Sequence, residues 1–335
     1  MPAVVPLVLV AIGLFLLFSA SDLLIRAAVA LARHFSLSPA IIGVVLVGFG
    51  TSLPELVTSV QAAMVGSFGI AVGNVFGSSI ANILGILALA LVLCPLARVE
   101  ALRRSVLVLL IATMAVMLLT LWGEIGRLHG LLLFAALCFY LWYEVGEARR
   151  RDLPGDPPPP TAVHIPKPFR PWAEKYVWVH WWFRTDLPPT AARAAVGLVG
   201  VAFGAQVLVS GAISTAGLLG VSEALIGVTL VAVGTSLPEL ATILAAARRR
   251  QGEIIAGNIV GSNIFNLLGI LGVASLARPM IIPERIVSFD LWVLVLATLL
   301  LVWGLLLRES VGRVAGIIFL VIYFVYIFVR IFFVG

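Results

Sequence analysis

The heptapeptide GTSLPEL at residues 50–56 decides how this chain is read, because the same seven letters return at 234–240. Each copy lies in a stretch whose other residues suit lipid better than water, yet each carries one carboxylate, Glu55 in the first and Glu239 in the second. An acid at the centre of a membrane span costs roughly 3 kcal/mol on insertion scales and more in simulations. Something must compensate both of them.

A second motif stands beside the first. GNVFGSSIANILGIL at 73–87 faces GNIVGSNIFNLLGIL at 257–271, an offset of 184 residues, the same as from Gly50 to Gly234. Upstream, LSPAIIGVVLV at 37–47 faces VSEALIGVTLV at 221–231 in the same register. Separate motifs held in one register without a gap identify an internal duplication.

The composition sets the environment. Of 335 residues 61% are hydrophobic and 11% charged, with mean hydropathy +1.14, against about a quarter charged in soluble proteins. Apolar runs long enough to cross a bilayer fall at 4–33, 37–66, 68–94, 101–121, 127–147, 190–217, 221–248, 252–277, 286–307 and 311–332. The expected fold is an all-α polytopic membrane protein of ten transmembrane helices. A first five-helix repeat over 1–147 and a second over 190–335 flank a polar loop at 148–189. Five is odd, so equivalent helices cross the membrane in opposite directions and the repeats are inverted. Secondary transporters share this plan, with the site near the midplane between the repeats.

The net charge of +6 reflects topology rather than a nucleic-acid partner. With the N-terminus outside, Arg33, Arg98, Arg103, Arg104, Arg149–Arg151, Arg248–Arg250, Arg308 and Arg313 fall on the cytoplasmic side, and only Arg127, Arg278, Arg285 and Arg330 fall outside. This is the positive-inside pattern, so both termini are expected outside and the 148–189 loop in the cytoplasm. The first apolar run lacks a basic flank and continues to Arg33, which favours a retained helix over a cleaved signal. Asp22 and Arg26, four apart, can pair on one helix face. The loop is proline-rich in its first half, and its second half, PWAEKYVWVHWWFR, suits the membrane interface. Its scattered acids form no calcium-sensing loop. Cys94 and Cys138 give no disulfide framework, and the four histidines have no metal-ligand spacing. Arg outnumbers Lys 20 to 2, a bias of GC-rich microbial genomes, which points to a prokaryotic plasma membrane.

Within each heptapeptide the proline lacks an N–H, so the carbonyls of Gly50 and Gly234 are expected to lose their helical partners at Pro54 and Pro238. Thr51 and Ser52 lie four and three residues before Glu55, on or near its helix face, and Thr235 and Ser236 repeat this before Glu239. On the third and eighth spans, Ser78 with Asn82 and Ser262 with Asn266 share faces at four-residue spacing. Gly73 and Gly77, like Gly257 and Gly261, make GxxxG steps that permit close helix approach. The set is oxygen-only, which suits hard cations such as Ca2+ or Na+ and argues against zinc or copper. Two ionised glutamates are neutralised by one Ca2+ or by several Na+, and protonation would discharge them too, so proton coupling stays open.

At these residues the sequence resembles the calcium/cation antiporter superfamily, in its sodium/calcium exchanger-like branch, whose two repeats carry GTSLPE and GN…GSN…N motifs. The resemblance covers both repeats and implies an antiporter exchanging Ca2+ for Na+ by alternating access, usually three Na+ per Ca2+ and therefore electrogenic. It implies Glu55 and Glu239 as the shared carboxylates, with Thr51, Ser52, Thr235, Ser236, Ser78 and Ser262 as oxygen ligands. Backbone carbonyls near Gly48 and Ala232 complete the outlying positions, and Asn82 and Asn266 line the centre. Asn266 stands where several relatives carry Asp, which argues against potassium dependence. GTSLPE favours sodium over the proton-coupled branch, whose glutamate sits in a different motif. The ions are cargo in the lipid bilayer, no cofactor is expected, and the expected unit is a monomer. A proton-coupled divalent-cation exchanger is the alternative. A passive channel is disfavoured by the absence of a ring of acids, and a membrane enzyme by the absence of a nucleophile with its base.

Overall fold

The computed structural model describes residues 4–35, 37–97, 99–150, 187–218 and 232–334. Among the described residues twelve helical segments follow one another: α1 (Val4–His34), α2 (Pro39–Thr51), α3 (Leu53–Met64), α4 (Phe68–Leu93), α5 (Glu100–Leu121), α6 (Arg127–Arg150), α7 (Leu187–Leu218), α8 (Ala232–Thr235), α9 (Leu237–Arg248), α10 (Gly252–Ala277), α11 (Ile286–Leu307) and α12 (Arg313–Phe333). Among the described residues eight helices, and the bent pair α2–α3 as a ninth span, are long and apolar enough to cross a bilayer. The span expected at 221–248 is described from Ala232 onward. Its upstream repeat at 221–231 lies outside the described residues, as does most of the 148–189 loop.

The outward surface is built for lipid. Large apolar side chains stand exposed along the outer helices, among them Phe15, Ile111, Leu128, Phe139, Val199 and Phe324. In water such a surface would aggregate, whereas hydrocarbon solvates it. The core sits elsewhere. In their most apolar stretches α4 is 78% and α10 83% buried, against 17% for α12. The duplicated motifs therefore occupy the centre of the bundle.

Inversion of the halves is visible in two short ladders. β1 (Leu96–Ala97), which follows α4, pairs antiparallel with β4 (Ser310–Val311), which follows α11. β2 (Glu124–Ile125), which follows α5, pairs with β3 (Met280–Ile281), which follows α10. Exchange of the halves converts one ladder into the other, as a two-fold axis in the membrane plane requires. Thr113 of α5 and Thr298 of α11 meet across the same axis at 3.3 Å, both buried.

α1 and α7 pack antiparallel along nearly their whole lengths. A Cβ on Gly197, Gly204 or Gly211 of α7 would strike the backbone of Leu24, Leu17 or Val10 of α1 at 2.7–2.9 Å. These glycines recur every seven residues, so the contact stays on one seam. At one end of the bundle Asp22 accepts from Arg26 and from Arg249, which follows α9, and Arg104 pairs with Glu147 at 3.0 Å. The expected Asp22–Arg26 pair is thus part of a three-residue tie. At the other end Arg278 donates to the Met64 carbonyl at 2.9 Å, and Arg330 pairs with the buried Asp290 at 2.9 Å.

Candidate functional site

The second span is not one helix. It breaks at Ser52, whose backbone (φ −84°, ψ 7°) leaves the helical region, and α2 and α3 meet at 44°. Ser236 repeats the break between α8 and α9 with φ −91° and ψ 3°. Each proline falls in the first turn of the new helix, where its missing N–H costs nothing. The interruption lies at the serine, two residues before the proline, and the carbonyls of Gly50 and Gly234 still have no N–H four residues on. Glu55 and Glu239 thereby sit in the first turns of α3 and α9, where unpaired N–H groups and the helix dipole favour negative charge. That is the compensation the composition demanded.

The break also redirects the hydroxyls. Ser52 donates to Glu239 Oε1 at 2.8 Å, and Ser236 is 3.3 Å from Glu55 Oε1. Each serine serves the carboxylate of the other half, not the one three residues on in its own chain segment, since the helix that would align them is interrupted. Glu55 and Glu239 are both 1% exposed, and these crossed bonds bring them into one cluster. The second oxygen of each, Oε2, is buried without a hydrogen-bond partner among the described residues.

The turns that carry Asn82 and Asn266 pack on the helices that carry these glutamates, Ala81–Leu87 on α9 and Phe265–Ile270 on α3. Asn82 and Asn266 are buried within wide π-type turns, Ala81–Leu87 and Phe265–Ile270, a distortion frequent at functional sites. Asn82 Oδ1 and both terminal atoms of Asn266 are likewise unpartnered. Buried polar atoms are normally hydrogen-bonded, so unpartnered oxygens on both glutamates and both asparagines of the duplicated motifs mark a place suited to a ligand. Ser78 is buried, with its hydroxyl 3.4 Å from Ser236 Oγ. Ser262 reaches the Gly48 carbonyl at 3.0 Å. Gly48 is required here because a Cβ would lie 2.8 Å from Ser262 N and 2.9 Å from the Asn258 carbonyl. Thr51 is buried and turns its hydroxyl onto the Val47 carbonyl at 2.9 Å, with Gly48 O at 3.4 Å. Ala232 opens the four-residue α8 and Thr235 closes it, immediately before Ser236.

Two site-adjacent residues escaped the sequence reading. Asn74 Nδ2 donates to Ser59 Oγ at 2.9 Å and lies 3.3 Å from the Glu55 carbonyl. Asn258, its equivalent, donates to Thr242 and accepts from Ser262, each at 3.1 Å. Both belong to the GN that opens the second motif, and a duplicated amide in an apolar span was the signal available.

The sequence profile described as "Sodium/calcium exchanger protein" matches residues 5–146 and 190–332. The chain belongs to this family. The exchanger is 31% identical over 295 residues to the inner membrane protein YrbG of Escherichia coli strain K12, covering 87% of this chain and 86% of that one. It is 28% identical over 343 residues to the sodium/calcium exchanger MaX1 of Methanosarcina acetivorans, covering 95% and 96%. Among solved structures, the sodium-calcium exchanger NCX_Mj soaked with 2.5 mM Na+ and 10 mM Sr2+ superimposes with a TM-score of 0.81 at 30% identity, covering 97% of this chain and 98% of that one. The exchanger is thus a multi-pass membrane antiporter and not an enzyme.

Proposed function

We propose that the exchanger carries Ca2+ in one direction against Na+ in the other, through the pocket formed by the two crossed glutamates. One observation carries this reading: the two Oε2 atoms and the Asn82 and Asn266 oxygens are each buried without a partner among the described residues, and the turns that carry the asparagines pack on the helices that carry the glutamates. Carbonyl, hydroxyl, amide and carboxylate oxygens form a donor set for hard cations. Glu55 and Glu239 serve as the shared ligands, with Ser52, Ser236, Ser78, Ser262, Thr51 and Thr235 as hydroxyl ligands. The carbonyls of Gly48 and Ala232 complete the outlying positions. A charge of −2 accepts one Ca2+ or several Na+ in turn, which makes the two cargoes mutually exclusive.

The inverted repeats, taken as units 1–147 and 190–335, support alternating access by motion of one set of helices against the other. Exchange of more than two Na+ per Ca2+ is electrogenic, and each net charge crossing 100 mV is worth about 2.3 kcal/mol. The arginine distribution supports termini outside a prokaryotic plasma membrane, and a monomer holds the whole site.

Ca2+ uptake into proteoliposomes under separately imposed Na+, K+ and H+ gradients tests the proposal. Uptake should follow an outward Na+ gradient and respond to membrane potential. Uptake that ignores Na+ and follows pH would establish the proton-coupled exchanger instead.

A further inference from the structure

Ser262 poses a problem of one proton and two acceptors. Its hydroxyl lies 3.0 Å from the Gly48 carbonyl and 3.1 Å from Asn258 Oδ1, and it is wholly buried. If the proton points at Gly48, it lies between the two oxygens and takes a lone pair of the carbonyl, so the pair presents a proton to a cation between them. If it points at Asn258, the Ser262 oxygen keeps its lone pairs, and the Gly48 carbonyl, which accepts the Ser52 N–H at 3.3 Å, keeps a lone pair on its other side for a cation. A hydroxyl has one donor and two acceptor sites, so what orients the proton decides whether this corner of the pocket is a ligand pair.

The orientation can be traced back through a chain of bonds. Thr242 Oγ1 is 2.9 Å from the Pro238 carbonyl and 3.0 Å from the Glu239 carbonyl, both acceptors only, so its single proton is committed to them. Towards Asn258, at 3.1 Å, Thr242 can therefore only accept. That forces the NH2 of Asn258 to face Thr242 and its carbonyl oxygen to face Ser262. The Asn258 oxygen is then a fixed acceptor for the Ser262 proton. All three side chains are at most 1% exposed, so water does not compete.

We propose that Asn258, held by Thr242, is a positioning residue for cation binding: it draws the Ser262 proton away from Gly48 and leaves the Ser262 hydroxyl and Gly48 carbonyl oxygens free as a preformed ligand pair. The inference rests on the cation-site reading and adds to it a direction for each proton. It is confined to the second half. In the first half Asn74 spends its NH2 on Ser59 and the Glu55 carbonyl, and Ser78 is met by Ser236 instead. The cause is legible locally: Ser59 has Ile243 as its counterpart, so the second-half amide must take the neighbouring Thr242.

The test uses the full-length protein and the isosteric variant Thr242→Val, which removes the acceptor-side constraint and lets the Asn258 amide turn its NH2 towards Ser262. Na+ and Ca2+ affinities are read from ion-dependent thermal stabilisation of the purified protein, with Na+-driven Ca2+ flux in proteoliposomes alongside. Thr242→Val should raise the half-saturating concentration of at least one ion about three- to tenfold, the scale of one hydrogen bond. Its maximal flux should stay within about twofold of wild type, and Thr242→Ser should restore the affinity. Unchanged affinity for both ions in Thr242→Val overturns the proposal. So does a loss of maximal flux at constant half-saturation, or a Thr242→Ser variant as impaired as the valine. If wild type binds both ions but shows no Na+-driven flux, the exchange reading fails, and the affinity comparison still decides the role of Asn258. If wild type binds neither ion, both fall.

Discussion

The two halves use one heptapeptide in the same way and then diverge one helix later. At the centre they share one plan: each breaks its helix at a serine, places proline in the first turn of the next, and lends its hydroxyl to the opposite glutamate. Along α4 and α10 they are not. Asn258 is locked between Thr242 and Ser262, whereas Asn74 braces the α3 backbone and leaves Ser78 to a partner from the other half. Duplication explains the shared centre, because a pocket on the axis needs equal contributions from both sides. The flanking contacts lie off the axis and are free to differ, so one half can be set more firmly than the other.

The most severe way to challenge this comparison is to remove the charges. Glu55→Gln and Glu239→Gln should each reduce Ca2+ flux more than about a hundredfold while the protein still elutes as a single folded species, since loss of one partner from a buried charged set is worth several kcal/mol. Retained flux in only one of the two would mean that the centre is not shared. The crossed serines should separate the halves more finely. Ser52→Ala, which removes a 2.8 Å bond to a carboxylate, should weaken Ca2+ half-saturation about thirtyfold. Ser236→Ala, with a 3.3 Å contact and a proton shared with Ser78, should weaken it about threefold. Equal effects would deny the asymmetry.

Added charge offers a gentler probe. Asn266→Asp should raise the preference for Ca2+ over Na+ about tenfold, because the number of ligand charges tunes Ca2+ affinity. Competition of Na+ against Ca2+ uptake measures it, and Asn82→Asp provides the comparison from the first half. The smallest effect is expected at the turns after α3 and α9. Gly66 and its counterpart Arg250 both adopt the left-handed region, at φ 85° and 53°, which suits glycine and strains arginine. Arg250→Gly should stabilise the protein by about 1 kcal/mol and Gly66→Ala destabilise it by a similar amount, read from thermal unfolding in detergent.

Much of this was legible in the chain before any coordinates. Long apolar runs at the lengths of bilayer spans, a 184-residue register and two acids in those runs are properties of consecutive residues, and the described helices follow the expected boundaries closely. The position of the break was not legible, since proline at a helix interior and proline at a helix start look alike in sequence. Thr51 and Ser52 were read as sharing the face of Glu55, and for Ser52 the break sends the side chain across to Glu239 instead. Asn74 and Asn258 stood in plain view within the duplicated motif, but their roles depend on which residue of a neighbouring helix comes within hydrogen-bond reach.

By itself, then, the order of residues determined what enters the membrane, how many times the plan repeats, that the repeats are inverted, and that two carboxylates stand among hydroxyl and amide side chains in apolar spans. These follow from hydrophobic length, periodicity and the parity of five. Only the tertiary structure decided that each serine bonds the carboxylate of the opposite half and that Asn258 lies between Thr242 and Ser262 while Asn74 bonds Ser59. Hydrogen bonds between helices are set by tenths of an ångström in packing, and packing depends on every neighbour at once.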